Sequence, residues 1–261
     1  GFCMNWRNVA EEISEWIGDY ANRNGIRTLV VGVSGGVDSA VTSTLSAMTG
    51  IDTMVLNMPI HQDESQFDLS GRHIEWLKTE WGNVSGEVLD LSSTYDEFRA
   101  EMGVLTDLSL ANSRARLRMT TLYAIAGSNN GIVVGTGNKV EDFGVGFFTK
   151  YGDGGVDISP IADLYKSEVF AIGNELGIIE EILDAAPTDG LWDDGRTDEE
   201  QIGASYDELE WAMKELENPS NSEMSDRERE VIDLYIDLHE SNSHKMVPIP
   251  VFKLNSAYRG D

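Results

Sequence analysis

The chain has 261 residues, of which 19 are Lys or Arg and 46 are Asp or Glu, so its formal net charge is −27. This charge argues against non-specific binding to DNA, RNA or an anionic membrane surface, because those polyanions would repel the chain. A hydrophobic content of 41% argues against wholesale disorder. The single cysteine, Cys3, excludes both an intrachain disulfide and a CxxC metal site.

The sequence shows no targeting or membrane-spanning signal. Its longest apolar runs are far too short to span a bilayer, and the N-terminus lacks a basic region followed by an apolar one. We therefore expect a cytoplasmic protein that contacts neither membrane nor nucleic acid. Residues 1–3 are interpreted as a cloning scar, and residues 4–261 as a single domain.

The first half of the chain alternates between helical and strand patterns. Residues 5–24 carry apolar side chains at helical spacing, and residues 28–33 form a β-branched apolar run that predicts a strand buried on both faces. Further helices are predicted over 37–48, 66–81 and 108–126, and further strands over 53–58, 84–91 and 132–135. Because crossover connections imply parallel pairing, the predicted class is α/β: a Rossmann-like, doubly wound, mostly parallel sheet with helices on both faces.

The second half is predicted to be mostly helical. A Gly-rich loop is expected over 143–160, followed by helices over 165–175, 178–183, 206–217 and 225–239. Residues 189–240 hold 18 acidic and 4 basic residues, and we interpret them as an acidic helical C-terminal part with a solvated face. His61 and His73 are interpreted as structural residues on a loop and on a helix surface. Seven cations near Gly-rich or strand-end segments are the candidates for binding a polyanion: Arg114, Arg116, Arg118, Lys139, Lys150, Lys166 and Lys245.

A loop with the sequence SGGVDS, at residues 34–39, follows the first predicted strand and opens a helix. Two glycines allow the backbone to approach a ligand closely, and the amides of a helix N-terminus favour an anion. Asp38 would repel a phosphate, so its useful role is to hold Mg²⁺ that bridges phosphates. The alternative is a tight turn in which Asp38 and Ser39 only begin the helix. The loop resembles that of the N-type ATP pyrophosphatases, which cleave ATP between its α and β phosphates.

Further segments are similar to those of one branch of that group, the ammonia-dependent NAD synthetases. They are NSRARLRM at 112–119, GTGNKVE at 135–141, TKYGDGGVD at 149–157, PIADLYK at 160–166, APT at 186–188, DE through Gly203 to Tyr at 198–206, and SHKMVP at 243–248. Their order, across nearly the whole chain, identifies it as a member of this family. Two positions depart from the family pattern: Val37 stands where Gln is frequent, and Asp189 where Ala is frequent.

The resemblance implies a ligase that forms a C–N bond. It would amidate deamido-NAD to NAD through an acyl-adenylate, releasing AMP and pyrophosphate. The chain has no room for a glutaminase domain, so free ammonia is the implied nitrogen donor. The implied partners are ATP, deamido-NAD, ammonia, the cofactor Mg²⁺ and a second copy of the chain, in a homodimer whose site is shared across the interface.

Candidate site residues follow from the loop and from the resemblance. The ATP site comprises Gly32, Val33, Ser34, Gly35, Gly36, Val37, Asp38, Ser39, Thr136, Lys166 and Thr188. The deamido-NAD site comprises Arg116, Lys150, Asp157, His244 and Lys245. Asp38 and Glu141 are the candidate metal ligands, and Asp38, Lys166 and Asp157 the candidate catalytic residues. Asp153 or Asp157 is the candidate acceptor of the proton that ammonium must lose.

Two rival interpretations remain open at this point. The synthetase part of a GMP synthetase shares the phosphate loop, but the segments at 149–157 and 243–248 argue against it. A non-catalytic nucleotide-binding module of the universal-stress type shares the sheet, but it would lack Asp38 together with Glu141. Magnesium-dependent release of pyrophosphate distinguishes an enzyme from such a module.

Overall fold

The computed structural model of the protein describes residues 3–188, 192 and 194–260. Asp189 and the first two residues of the interpreted scar lie outside the described residues. Four parallel strands form a sheet with the order β3-β2-β1-β4. The strands are β1 Thr28–Gly32, β2 Asp52–Asn57, β3 Val84–Val88 and β4 Gly131–Val133. Their parallel pairing confirms the predicted class.

Helices connect the strands and form the C-terminal part. In the described residues they are α1 Trp6–Arg23, α2 Val37–Ala47, α3 Glu64–Glu80, α4 Ser92–Met102, α5 Asp107–Ser128, α6 Lys166–Leu176, α7 Glu180–Asp184, α8 Asp198–Ile202, α9 Tyr206–Glu217 and α10 Asp226–Asn242. A π-helix spans Val140–Val145, and 3-10 helices span Ser243–Lys245 and Ser256–Arg259. No helix of the described residues is both long and apolar enough to cross a membrane.

The sheet is covered on both faces. Leu29 and Val31 of β1 are fully buried in a core that includes residues of α1, α2 and α6. Val30, between them, is buried on the opposite face in a cluster with Ala126 of α5. This alternation is the period of two that side chains follow along a strand, and it confirms helices on both faces.

A second core joins the π-helix to the C-terminal helices. Val140 and Val145 of the π-helix are buried with Tyr206 and Leu209 of α9 and Tyr235 of α10. The C-terminal helices therefore do more than cover a face of the sheet. They support the segment that leaves the carboxyl end of β4.

The structure corrects three predictions. The segment predicted as a loop from residue 143 begins inside the π-helix. His73 does not lie on a helix surface: it is fully buried, and its Nε2 lies 2.9 Å from the Ser43 hydroxyl. The acidic part is not only a solvated face, since Asp198 and Glu210 are buried. Helices α4 and α8 were not predicted, because short polar helices carry a weak periodic pattern.

Candidate active site

The loop at residues 34–39 forms a tight turn at the carboxyl end of β1. Gly35 has a φ of +88°, and a Cβ there would lie 2.8 Å from the Gln66 carbonyl oxygen. Only glycine fits both conditions. The Ser39 hydroxyl accepts from the Ser34 amide at 3.1 Å and donates to the Gly36 carbonyl at 3.3 Å. Gly36, at the N-cap of α2, has no side chain to accept from the first amides of the helix, and such amides favour an anion.

Three charged side chains meet beside this loop. The Lys166 ammonium, on the first residue of α6, lies 2.5 Å from Asp38 Oδ2 and 3.7 Å from Glu141 Oε1. Lys166 is 3% exposed, and the two carboxylates are 18% and 13% exposed. Asp38 belongs to the first turn of α2 and Glu141 to the π-helix. Three separate elements thus bring together one buried cation and two carboxylates.

Burial and charge shift the proton affinities of this group. Burial raises the pKa of Glu141 to about 8, against the lowering effect of Lys166. The pKa of Lys166 is raised because attraction by Asp38 and Glu141 outweighs the opposing effect of burial. Since the ammonium stays charged, it is a fixed positive charge at the end of the anion loop.

A second layer of side chains orients the two carboxylates. Asn138 is fully buried; its amide donates to Asp38 Oδ1 at 3.1 Å, and its side-chain oxygen accepts from the Glu141 amide at 3.1 Å. The Tyr206 hydroxyl lies 2.7 Å from Glu141 Oε1 and 3.2 Å from Asp198 Oδ2. The hydroxyl has one proton and lies within hydrogen-bond distance of two carboxyl groups, so Tyr206, Glu141 and Asp198 form one hydrogen-bond network.

A carboxylate from the acidic C-terminal part holds the helix that carries Lys166. Glu210 accepts from the Ser167 amide at 2.7 Å and from its hydroxyl at 2.8 Å. An anion at a helix N-terminus interacts favourably with the first-turn amides. The buried Glu210 therefore fixes the start of α6, and with it the base of the Lys166 side chain.

Asp38, Glu141, Lys166 and Asp198 line one cleft of about 740 Å³. All of the candidate ATP-site residues, from Gly32 to Ser39 and at Thr136, Lys166 and Thr188, line it, and so does Glu141. Of the seven candidate cations, Arg118, Lys166 and Lys245 line it. Arg118 also donates to the Met58 carbonyl at 2.9 Å, at the end of β2.

The candidate deamido-NAD residues divide into two groups. Lys245 lines the cleft, but its ammonium donates to the Gly146 and Phe148 carbonyls at 2.7 and 2.8 Å. Arg116, Lys150, Asp157 and His244 are not among the cleft-lining residues. Two side chains of this second group bind main-chain carbonyls of its other members. Arg116 Nε donates to the Lys150 carbonyl at 3.1 Å, and Lys150 Nζ donates to the His244 carbonyl at 3.5 Å.

The candidate catalytic residue Asp157 takes part in a hydrogen-bond pattern at the end of the sheet. Its Oδ2 accepts from the Val133 amide of β4 at 2.8 Å, and its Oδ1 from the Tyr123 hydroxyl at 3.1 Å. Burial, and then Asp157, raise the pKa of that hydroxyl to about 12. Asp153, the other candidate proton acceptor, does line the cleft.

Sequence reasoning gave no role to Asn138, Asp198, Tyr206 or Glu210. Asn138, Asp198 and Tyr206 belong to segments that resemble the family, and that resemblance is the available signal. Glu210 carried no such signal, because in sequence it is one acidic residue among many.

Comparison with known proteins shows the family to which the chain belongs. The family model described as NAD synthase matches residues 9–248. The chain is 33% identical over 252 residues to the NH(3)-dependent NAD(+) synthetase of Sulfurisphaera tokodaii, covering 95% of this chain and 88% of that one. A solved structure of NMN synthetase from Francisella tularensis has a TM-score of 0.85 at 31% identity, covering 97% and 100% of the two chains. A solved structure of an NH3-dependent NAD synthetase from Campylobacter jejuni has a TM-score of 0.79 at 25% identity, covering 96% of this chain and 100% of that one.

The match spans the phosphate loop, the π-helix with Glu141 and the segment at 243–248, as the sequence predicted. It excludes a GMP synthetase and a universal-stress module. The chain therefore belongs to the NAD synthase family, among its ammonia-dependent, ATP-dependent ligases.

Proposed function

We propose that this cleft binds ATP with its phosphates on the loop at 34–39 and adenylates the nicotinate carboxylate of deamido-NAD. The observation that carries the proposal is the buried group of Asp38, Glu141 and Lys166 at the open end of that loop. An amide cannot form directly from a carboxylate, because oxide is too poor a leaving group. Activation by ATP replaces it with AMP.

Atoms and charges balance in two steps. A carboxylate oxygen attacks the α-phosphorus, the bond to the β-phosphate oxygen breaks, and pyrophosphate leaves. Ammonia then attacks the acyl carbon, and AMP leaves with the original carboxylate oxygen. The α2 amides and the Lys166 ammonium stabilise the charge that develops on pyrophosphate, since fixed dipoles and charges in a buried cleft need no reorganisation. The cleft walls hold the carboxylate in line with the α-phosphorus.

The residues present fit a magnesium ion. Mg²⁺ prefers oxygen ligands and usually takes one or two carboxylates together with substrate phosphates. Asp38, Glu141 and Asp198 bring three carboxyl groups to one ammonium, so a divalent cation would balance the charge. Asp38 and Glu141 would hold it, and when bound it supplies charge stabilisation on the phosphate oxygens.

Asp153 is our candidate for the group that takes the proton from ammonium. It lines the cleft, where its Oδ1 accepts from the Thr149 amide at 2.7 Å. Asp157 does not line the cleft, and its carboxylate accepts from the Val133 amide and the Tyr123 hydroxyl. Asp157 then acts by fixing the end of β4. Replacing each by Asn separates these roles: Asp153→Asn should slow amide formation more than carboxylate activation, and Asp157→Asn should alter both together.

We further propose a homodimer. Helix α5 has 22 residues, and only Leu110, Ala111, Ala115 and Ala126 are buried within the single chain. At its start, Val104 and Leu108 are 101% and 61% exposed. A second copy would cover this helix and bring Arg116, Lys150 and His244 to the dinucleotide. Light scattering should give about twice the 28.8 kDa of one chain; the mass of one chain would contradict the dimer.

We propose residues 4–261 as one functional unit working in the cytoplasm.

A second candidate substrate is the mononucleotide of nicotinate. It is favoured by the TM-score of 0.85 with the Francisella protein, which is described as an NMN synthetase. The activation chemistry is the same, since both substrates present a nicotinate carboxylate. They differ only in the half of the molecule that lies away from the reacting carbon.

The test is pyrophosphate release with ATP, Mg²⁺ and ammonium, with each acid in turn. Release that requires deamido-NAD and yields NAD supports the first candidate, and release that requires nicotinate mononucleotide supports the second. The variant Asp38→Asn should lose release by about 100-fold or more, as when a group that stabilises transition-state charge is removed. If neither acid supports pyrophosphate release, the proposal is contradicted.

A further inference from the structure

The last turns of α10 and the 3-10 helix that follows carry three side-chain donors that face the π-helix of Glu141. His239, Asn242 and Lys245, which we call the donor row, are spaced three residues apart. The His239 Nδ1 lies 2.7 Å from the Gly144 carbonyl, and Asn242 donates to the Val145 carbonyl at 2.9 Å. Lys245 donates to the Gly146 carbonyl at 2.7 Å. Three successive carbonyls are thus bound by one row.

The row lies where the π-helix needs partners. The last carbonyls of a helix have no partner within it and must be satisfied from outside. Gly146, just past the π-helix, has a φ of +68°, and a Cβ there would collide with Asn242. At Gly144, a Cβ would lie 3.0 Å from Met213 Sδ of α9 and 3.4 Å from the Tyr235 ring of α10. Glycines at these two positions therefore allow α9 and α10 to approach the backbone closely.

His239 is held in a defined orientation. Its ring stacks on Tyr235 with centroids 5.7 Å apart and an interplanar angle of 22°. A carbonyl oxygen only accepts, so the ring proton is on Nδ1. Tyr235 belongs to the buried core of the C-terminal helices. The packing against Tyr235 therefore fixes the orientation of the His239 ring and of its Nδ1 donor.

The other end of the π-helix carries Glu141. Its carbonyl accepts from the Phe147 amide at 3.0 Å and from the Gly146 amide, so the backbone of Glu141 and the carbonyls bound by the row form one compact turn. A shift of Gly144 or Val145 would move the Glu141 carboxylate relative to Asp38 and Lys166.

We propose that His239 and Asn242 are positioning residues that hold Glu141, through the Gly144 and Val145 carbonyls, in the geometry that binds the divalent cation with ATP. The inference rests on the proposed function. It assigns the acidic C-terminal part a task in the reaction, namely to place a ligand that lies almost 100 residues away in the sequence. Helix–helix packing alone would not require donors aimed at consecutive carbonyls.

The variants separate the donor from the bulk of the side chain. His239→Leu keeps an apolar side chain against Tyr235 and removes the donor, whereas His239→Asn places an amide nitrogen near the position of Nδ1. Asn242→Leu removes the second donor. Ser241→Ala is the matched control, because Ser241 lies in the same helix, is exposed, and bonds only to the Asp237 carbonyl.

Calorimetry of Mn²⁺ binding, with a non-hydrolysable ATP analogue present, is the first readout. We expect His239→Leu and Asn242→Leu each to weaken Mn²⁺ binding about fivefold, which is about 1 kcal/mol, and His239→Asn to stay within about twofold of the parent. The Mg²⁺ concentration for half-maximal pyrophosphate release should rise in parallel. Amide exchange at residues 140–148 should become faster in the Leu variants only.

A merely structural role gives a different pattern. The Leu variants would then unfold at lower temperature with unchanged Mn²⁺ affinity and unchanged half-saturating Mg²⁺, and this would overturn the inference. Equal weakening in His239→Leu and His239→Asn would also overturn it, because the donor would not matter. A parent chain without pyrophosphate release, but with the expected Mn²⁺ differences, would refute the proposed function and leave the positioning intact.

Discussion

Replacing Lys166 by methionine tests the charge balance of the site. The ammonium lies 2.5 Å from Asp38 and 3.7 Å from Glu141, and it is 3% exposed. Methionine keeps the length and the burial of the side chain but removes the charge. The two carboxyl groups then face each other in a buried cleft without compensation. Removing one partner of a buried ion pair costs about 3–5 kcal/mol of the free energy of unfolding.

The size of this loss should depend on pH. Burial already raises the pKa of Glu141 to about 8, against the lowering effect of Lys166. Without Lys166, Glu141 can avoid repulsion by binding a proton, so its pKa in the folded state rises further above that in the unfolded chain. Protonation favours the folded state at low pH, and this gain disappears as pH rises through the raised pKa. The variant should therefore lose more stability at pH 9 than at pH 6. Pyrophosphate release should fall by about 100-fold or more.

Urea unfolding, followed by tryptophan fluorescence at the two pH values, measures the effect. Lys214→Met is the matched control, because Lys214 is exposed and its ammonium lies 4.7 Å from the Tyr165 ring centroid; it should cost about 1 kcal/mol or less. A Lys166→Met chain as stable as the parent at pH 9, or one that loses more at pH 6, would refute the reasoning.

Three other changes have definite expected outcomes. Burial lowers the pKa of His73 to about 4, so the parent should lose about 3 kcal/mol of unfolding free energy as pH falls from about 6.5 to 4. The variant His73→Gln should lose less over the same pH range, and equal pH profiles of the two chains would contradict this. Gly35→Ala must displace the loop from the Gln66 carbonyl, so the KM for ATP should rise about tenfold or more, and an unchanged KM would count against the anion role. Because the net charge is −27, KCl should raise the unfolding temperature most steeply up to about 0.5 M, where screening lengths shrink fastest; a falling temperature would exclude self-repulsion as a cost of folding.

The sheet and the turn at 34–36 could be predicted because their signals are local. The apolar run at 28–33 carries its own strand pattern, and the glycines at 35 and 36 carry their own turn. The predicted helix at 206–217 matches α9 residue for residue. Helix ends elsewhere differ by a few residues, since caps rather than periodicity decide them.

The supporting contacts could not be predicted, because they join residues distant in the sequence. Tyr206 meets Glu141 across 65 positions, and Glu210 meets Ser167 across 43. In the sequence Glu210 belongs to a run of acidic residues whose commonest role is a solvated face. His73 likewise occupies a polar helix, and only the packing of α3 against α2 buries it. The π-helix has no pattern distinct from that of a loop rich in glycine.

The central claim is that the carboxylate is activated by adenylation, and an isotope label tests it most directly. Deamido-NAD labelled with ¹⁸O in the nicotinate carboxylate is converted with ATP, Mg²⁺ and ammonium, and the products are analysed by mass spectrometry. The account predicts one ¹⁸O atom in AMP and none in pyrophosphate, because the attacking oxygen stays on the α-phosphorus. Label in pyrophosphate or inorganic phosphate, with unlabelled AMP, would contradict it.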